Sequence, residues 1–471
     1  MHAPKSESVA EPGPGHQKTG GLPSIGGAYF ALAILFAMNL LNYVDRYAFF
    51  AVGKQIQEEL QITDARFGIL GTSFMLVYTL ISPLTGWLGD RYHRRRLLAG
   101  GVALWSLATV GTAFSTNYSH MFIWRAILGI GEASYGVIAP ALLSDLFPVK
   151  KRGRALGIYY LALPLGTALG YVAGGVIAAR LGWRSVFYVV GIPGLVAALA
   201  GLVILDPGRG ASEESSTDGK ENRPKLRDYI ELFRTPTFVY NTAGMAAVTF
   251  ATGAYVTWGS IFYQRVRGMS LEQTNVWIGG LLAMAGLIGI AMGTFLADLS
   301  LKVTRRGYLI LAMLVVFSAI PLGVGAILLS DRRSSLGCLF GASVLMSMVL
   351  GPCNTVTANV VPANRRAAGF ALFIFLMHVF GDIASPPLLG WVSEYLGQPS
   401  VASSSIGRFF ASIGASPVDG TNLTVAMLSV APVLGLAAFF FLLGSRHLPR
   451  DQERVRATAK PTDAEVDPYF H

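Results

Sequence analysis

The sequence predicts an all-α integral membrane protein with twelve transmembrane helices in two six-helix bundles. Hydrophobic residues make up 52% of the 471 positions and charged residues only 14%, and the mean hydropathy is +0.50. A soluble domain carries about 25% charged residues. A chain this apolar cannot cover its surface with water-compatible side chains, so much of that surface must face lipid.

Twelve apolar stretches recur along the chain, each long enough to cross a bilayer, for which about 20 residues are needed. Only helices satisfy their own backbone hydrogen bonds in lipid within a single segment. We expect helices at residues 27–53, 65–89, 96–115, 119–144, 155–179, 185–205, 237–264, 271–300, 307–330, 335–361, 367–395 and 421–445. An even number of spans places both termini on one side of the membrane.

The distribution of Lys and Arg predicts which side that is. The two tails and the even-numbered connections hold 26 of the 37 basic residues, and the odd-numbered connections hold 9. Basic residues accumulate in cytoplasmic loops, so both termini are expected in the cytoplasm. The same clustering accounts for the net charge of +10, and we predict no nucleic-acid partner.

A long polar connection divides the twelve spans six and six. We predict the following division: residues 1–24 a disordered N-terminal tail, 25–205 the N-terminal bundle, 206–236 a cytoplasmic linker with a short amphipathic helix at Lys225–Phe233, 237–446 the C-terminal bundle, and 447–471 a cytoplasmic C-terminal tail. Both halves end their second helix with an aspartate followed by arginines, a repeat typical of two-bundle transporters.

The connection after the second helix, residues 86–96, reads Gly-Trp-Leu-Gly-Asp-Arg-Tyr-His-Arg-Arg-Arg. It resembles the signature loop of the major facilitator superfamily, with His93 where that family usually has Gly. A glycine permits close helix approach, an aspartate accepts charge-assisted hydrogen bonds, and arginines hold the loop in the cytoplasm. The resemblance implies a cytoplasmic gating motif formed by Gly86, Asp90, Arg91, Arg94 and Arg95.

Three longer passages narrow the resemblance: residues 42–46 in helix 1, 129–147 in helix 4, and 361–386 in helices 10 and 11. Together they resemble the spinster-like branch of the superfamily, whose animal members export sphingosine 1-phosphate or lysophospholipids. The resemblance implies the major facilitator fold and an amphiphilic, anionic lipid substrate. Helix 7 departs from the branch, because Trp258-Gly-Ser260 stands where a Pro is expected.

Ionisable side chains inside a span cost a few kcal/mol each, so each needs a partner or a water-filled cavity. We interpret six as proton-coupling or substrate residues: Asp45, Arg46, Arg125, Glu132, His378 and Asp382. Residues spaced by seven or by four share one helical face, which pairs Arg125 with Glu132 and His378 with Asp382.

The main hypothesis is that Asp45 and Glu132 face a central cavity and that at least one exchanges a proton during transport. The alternative is a static ion-pair network of these carboxylates with Arg46 or Arg125. Arg46 is also a candidate for an anionic head group, because guanidinium pairs with phosphate in a bidentate manner. A packing bond within helix 11 explains the His378–Asp382 pair equally well.

Aromatic residues could line an apolar part of the same cavity, although aromatic residues in helices more often serve packing. The candidates are Tyr255, Trp258, Phe262 and Phe373.

The sequence contains no catalytic or cofactor-binding motif that would favour an enzyme over a transporter. The chain has no phosphate-binding loop of the Gly-x-x-x-x-Gly-Lys-Ser/Thr form, and its His residues and two Cys lack metal-ligand spacing. We therefore expect no enzyme activity, no cofactor and no metal.

The sequence predicts a monomeric secondary transporter, multi-pass in a cell (inner) membrane, that works by alternating access and exchanges protons as well as a small amphiphilic substrate. The alternatives are a polyspecific drug–proton antiporter, a small organic anion symporter, and a receptor or sensor that does not transport.

Overall fold

The computed structural model describes residues 25–208, 230–362, 365–415 and 422–458. These residues contain twelve helical segments long and apolar enough to cross a membrane, which confirms the all-α, twelve-span prediction. Spans 1 to 12 are Gly26–Ala51, Asp64–Gly89, Arg94–Ala113, Tyr118–Leu146, Lys151–Leu181, Trp183–Gly201, Pro236–Arg265, Leu271–Val303, Gly307–Leu328, Arg332–Val360, Ala368–Leu396 and Asn422–Val455. Short helices outside the spans are Gly53–Leu60, Pro399–Ala402 and Ser405–Ser412.

Four spans are interrupted, and the widest interruption lies in span 11. There the helices Arg366–Phe380 and Ser385–Leu396 are separated by residues 381–384. Thr72 of span 2 donates its hydroxyl to the Ile383 carbonyl oxygen at 3.0 Å, so one backbone group released by the break is satisfied by the other bundle. Spans 5, 10 and 12 break at single residues: Leu161, Val349 and Ser429.

The last helix runs to Thr458, well past the predicted end of helix 12 at residue 445. A buried carboxylate fixes this extension: Asp451 accepts a hydrogen bond from the backbone N–H of Thr237 at 2.9 Å. Thr237 lies in the first turn of span 7, where unpaired N–H groups favour an anion. The predicted C-terminal tail therefore begins as a helix. Residues 1–24 of the predicted N-terminal tail, 209–229 of the predicted linker with its amphipathic stretch, and 459–471 of the predicted C-terminal tail lie outside the described residues.

Spans 1–6 and spans 7–12 form two bundles, which meet where span 2 packs on the second helix of span 11 and where span 5 packs on span 8. Glycine makes the closest of these approaches possible. A Cβ added at Gly68 would lie 2.4 Å from the Pro386 carbonyl oxygen, and one added at Gly175 would lie 2.6 Å from the Asn275 Cβ. Any larger residue at these points would push the bundles apart.

A polar network joins the bundles at one end. We call the side where span 1 begins and span 12 ends the basic side (the side predicted to be cytoplasmic), and the other the opposite side. At the opposite side Arg265 of span 7 donates to both carboxylate oxygens of Asp64 at 2.9 and 3.0 Å. Gln57 and Ser393 each donate to the same carboxylate at 2.8 Å. This network fastens the bundles at the opposite side.

Replacing Arg265 by Gln should loosen the closure at the opposite side. A loss of ~1.4 kcal/mol in the stability of the closed state relative to the open state lowers the ratio of closed to open molecules about tenfold. Pulsed electron paramagnetic resonance measures the distance between spin labels at the exposed positions Gln61 and Glu272. In Arg265→Gln, a larger fraction of molecules should show the long distance between these labels. Arg267→Gln is the matched control, because Arg267 hydrogen-bonds the Ile327 carbonyl oxygen within its own bundle. Equal distance distributions in both variants would contradict the assignment.

Candidate functional site

A buried ion pair joins span 1 to span 4. Arg46 donates from Nη2 to Oε2 of Glu132 at 2.6 Å. The Glu132 side chain is 1% exposed and that of Arg46 19% exposed. The guanidinium also lies over the Tyr43 ring at 5.3 Å and the Phe74 ring at 4.9 Å. Arg46 is thus held between a buried carboxylate and two aromatic faces.

Asp45, although next to Arg46 in the chain, points into a different environment. Its Oδ2 accepts a short hydrogen bond from the Thr109 hydroxyl of span 3, and the residue is 2% exposed. Consecutive helical residues point about 100° apart. One of the two can therefore reach span 4 while the other is turned toward span 3.

Arg125 of span 4 is buried and has no ion-pair partner within 4.0 Å among the described residues. Its guanidinium lies over the Phe49 ring at 4.1 Å and the Phe74 ring at 4.6 Å, and its Nε donates a long hydrogen bond to the Leu70 carbonyl oxygen at 3.5 Å. Since Arg46 also lies over Phe74, this ring connects both arginines. The four predicted residues of spans 1 and 4 therefore occupy one buried cluster in the N-terminal bundle.

The cluster keeps unused hydrogen-bonding capacity. Four of its buried polar atoms have no hydrogen-bond partner among the described residues: Asp45 Oδ1, Arg46 Nε, Arg125 Nη2 and Glu132 Oε1. Buried polar groups are rarely left unpaired, and such a concentration needs an explanation. Both carboxylates retain one oxygen that can accept a proton or a donor.

A cavity of about 120 Å³ lies between the bundles. Its lining combines residues of both bundles: Arg46, Tyr47, Phe50, Gly71, Phe74, Met75, Thr249, Thr252, Gly253, Val256, Thr257, Asp382 and Pro386. Arg46 and Asp382 therefore reach the cavity from opposite bundles. Asp45 and Glu132, predicted to face it, are outside this lining, and Glu132 is linked to it through Arg46.

His378 and Asp382 are paired, as their spacing predicts. His378 Nδ1 lies 2.9 and 3.1 Å from the two carboxylate oxygens of Asp382. Asp382 lies in the four-residue interruption of span 11 and His378 in the helix before it. The pair therefore joins the end of the first helix to the interruption, and Asp382 lies at the cavity.

The four aromatic residues predicted to line the cavity lie elsewhere in this conformation. Tyr255, Trp258, Phe262 and Phe373 belong to the buried core; the Trp258 Nε1, for example, donates to the Pro386 carbonyl oxygen at 3.2 Å. The aromatic lining comes instead from Tyr47, Phe50 and Phe74 in spans 1 and 2. Helical spacing does not tell these two groups apart, because both lie on buried faces of their helices.

The predicted gating loop is held by an ion-pair network. Arg94 is buried and donates to Asp145 at 2.6 Å and to Asp206 at 2.9 Å, which joins the basic-side ends of spans 3, 4 and 6. Arg91 stacks on Trp87 at 4.0 Å and Arg95 is exposed. The side chain of Asp90 lies outside the described part of the chain.

Gly86 is predicted to permit a close approach between helices, but the neighbouring helix is not unusually close there. A Cβ there would lie 3.7 Å from Val137, an ordinary contact distance, so the site does not require glycine.

Comparison with known proteins agrees with this architecture. The family model described as Major Facilitator Superfamily matches residues 35–386. Protein spinster homolog 1 of Xenopus tropicalis is 30% identical over 455 residues, covering 92% of this chain and 84% of the relative. The Homo sapiens protein of the same name is 34% identical over 404 residues, covering 81% and 76%.

A solved structure shows the same fold. The crystal structure of a bacterial homolog to the human lysosomal transporter Spinster, inward-facing and unoccupied, has a TM-score of 0.78 with 24% sequence identity, covering 91% of this chain and 99% of that chain.

The chain is therefore a multi-pass membrane transporter of the major facilitator superfamily, and not an enzyme. Within the superfamily it belongs to the spinster family. Both conclusions confirm the resemblance read from the sequence.

Removing Arg46 should destabilise the protein because it leaves the Glu132 charge buried without its counter-ion. We expect Arg46→Met to cost roughly 3–5 kcal/mol, and the double variant Arg46→Met/Glu132→Leu to recover most of that loss. Chemical unfolding of the purified protein in detergent measures both.

The matched control is the exposed Lys54–Glu58 pair, at 3.7 Å, where Lys54→Met should cost no more than about 1 kcal/mol. A double variant as unstable as the single would show that the buried pair does not act as a unit.

Proposed function

We propose that the protein is a proton-coupled secondary transporter that moves an amphiphilic anionic lipid, a lysophospholipid or a sphingosine 1-phosphate-like molecule, by alternating access in a cell inner membrane. One observation carries the proposal: Arg46 lines the central cavity and at the same time forms an ion pair with the buried Glu132. The same guanidinium is therefore available to a substrate on one side and to a titratable group on the other.

The guanidinium suits a phosphate head group, since its fork of N–H donors matches phosphate oxygens in a bidentate manner. A phosphate entering the cavity competes with Glu132 for Arg46. A buried carboxylate without its counter-ion is much more costly than a neutral carboxylic acid. Binding of the anion is therefore expected to be accompanied by uptake of a proton on Glu132.

Asp45 provides a second acceptor for a proton. Only one of its oxygens is bonded, to Thr109, and the other has no hydrogen-bond partner among the described residues. A static network would instead leave both carboxylates charged throughout the cycle. The two possibilities differ in the pH dependence of transport.

The apolar part of the substrate needs a route between the bilayer and the cavity. Span 2 packs against the second helix of span 11. Toward the basic side, beyond the break, both spans expose large apolar side chains: Leu80 and Leu84 on span 2, Phe375 on span 11. This apolar surface beside the cavity supports a substrate whose tail stays in lipid while its head group enters.

A polyspecific drug–proton antiporter is the second candidate. Asp382 supports it, because a carboxylate at the cavity is suited to a cationic drug. An organic anion symporter would be expected to present several arginines, whereas Arg46 is the one Arg or Lys in the lining of the described cavity. A receptor that does not transport would bind substrate without counterflow.

Reconstituted uptake distinguishes these functions. We expect labelled lysophospholipid to be taken up faster with a pH gradient than without, and cationic drugs, sugars and carboxylates not to be. Arg46→Gln should lower uptake at least ~10-fold, the effect of losing ~1.4 kcal/mol of binding. Arg184→Gln is the control, because Arg184 lies outside the cavity, where it pairs with Glu59. Drug–proton exchange without lipid uptake would overturn the proposed substrate.

Proton coupling predicts that Glu132→Gln flattens the pH dependence of lipid uptake, and that Asp45→Asn alters it. The control carboxylate is Asp331, outside the spans, where hydrogen bonds from Ser334 hold the pKa below its usual range. Asp331 stays charged above the pKa of a free aspartate, so Asp331→Asn should leave the profile unchanged between about pH 5 and 8. Unchanged profiles in both Glu132→Gln and Asp45→Asn would support the static network instead.

A further inference from the structure

A second cavity lies away from the transport site, on the lipid-facing side of the C-terminal bundle. It has a volume of about 370 Å³ and lies between spans 7, 11 and 12. Its floor is one face of span 7, on which the lining residues recur every three or four positions from Val239 to Phe250. Leu376 and Phe380 of span 11 form one wall, and Val433 and Phe440 of span 12 form the other. We call this cavity the span 7 groove.

The span 7 groove is deep because its floor is built of small side chains. Thr242, Ala243, Ala246 and Ala247 lie between the aromatic rings of Phe238 and Phe250. The two phenylalanines are twelve positions apart along span 7, a rise of about 18 Å. That length is close to half the ~30 Å hydrocarbon thickness of a bilayer. The groove therefore covers about one leaflet, the leaflet on the basic side.

The chemistry of the lining excludes a polar ligand. Thr242 is the one polar residue among the lining of the described groove, and its hydroxyl already donates to the Phe238 carbonyl oxygen at 2.7 Å. The groove opens toward the membrane, where Phe380 is 63% exposed and Phe233 51% exposed. Since the surrounding solvent at this depth is hydrocarbon, the ligand that fits is an acyl chain.

The end of the groove on the basic side carries positive charge. Phe233 closes this end, and the exposed Arg234 follows it directly. Each Lys or Arg close to a membrane surface attracts anionic lipid by about 1 kcal/mol. An anionic phospholipid of that leaflet would place its head group near Arg234 and its acyl chain in the groove.

Span 7 lies between the groove and the transport cavity. Thr249, Thr252 and Gly253 line the cavity, whereas Ala246 and Phe250 line the groove. The groove wall also includes Phe380, the last residue of the span 11 helix before its interruption. A chain seated there contacts both the wall of the transport cavity and the helix that ends at the break.

We propose that the span 7 groove binds an acyl chain of an anionic membrane phospholipid as a resident ligand, at a site separate from the transported lipid. The bound chain fills the space between the first helix of span 11 and span 7, and so holds that helix in the position it has here. Binding depends on the groove and on Arg234, not on the transport cavity, so the proposal does not rest on the identity of the transported substrate.

The test uses the full chain in nanodiscs and phosphatidylglycerol with a photoactivatable group on one acyl chain. Mass spectrometry should map most adducts to peptides of spans 7, 11 and 12 that line the groove. Ala247→Phe fills the groove from its half-buried floor position and should lower this labelling at least ~5-fold. Ala291→Phe, an exposed position of span 8, should leave it unchanged.

Three further results decide the proposal. The phosphatidylcholine analogue should label the groove less than phosphatidylglycerol does. Arg46→Gln should retain full labelling even though we expect it to impair transport, which separates this site from the proposed function. Excess lysophospholipid should not compete. Labelling spread evenly over all lipid-facing spans would overturn the proposal. Labelling abolished by lysophospholipid would also overturn it, because the groove would then be part of the substrate's path.

Discussion

A charge buried among membrane spans must be paired, and the pairing of Arg46 with Glu132 at 2.6 Å is the interaction on which the rest of the site depends. Either partner alone would leave an uncompensated charge at a cost of several kcal/mol. Because of this pairing, Arg46 can line the cavity between the bundles while it is bonded to Glu132, which lies outside the cavity lining. We therefore expect an anion at the cavity to take over as the counter-ion of the guanidinium while a proton neutralises the carboxylate.

Two polar networks hold the helix ends on the two sides of the protein. At the opposite side, Asp64 gathers donors from both bundles and closes that end. At the basic side, Arg94 joins three spans within one bundle, and such a network can move with that bundle. The interrupted span 11 places Asp382 at the cavity. When two rigid bundles rock about a central site, bonds between the bundles must break, whereas bonds within one bundle persist.

Much of the fold could be predicted from the sequence because a span must be long, apolar and helical, and these properties are local. The scarcity of charges in the spans likewise pointed to Asp45, Arg46, Arg125 and Glu132. Partner choice was not predictable, because it depends on how helices rotate against each other: Asp45 bonds Thr109, and Arg125 lies against Phe49 and Phe74. An ordinary threonine or phenylalanine in an apolar span carries no signal of such a role. The break in span 11 was also missed, since residues 381–384 read as part of one apolar stretch.

The central claim is that substrate binding at Arg46 is accompanied by uptake of a proton from water on Glu132. Infrared difference spectroscopy of the purified protein, with and without lysophospholipid at neutral pH, observes the protonation of carboxyl groups directly. The account predicts a new protonated-carboxyl band on substrate addition in the wild-type protein and its loss in Glu132→Gln. A spectrum without any carboxyl change, or a band that persists in Glu132→Gln, would contradict it.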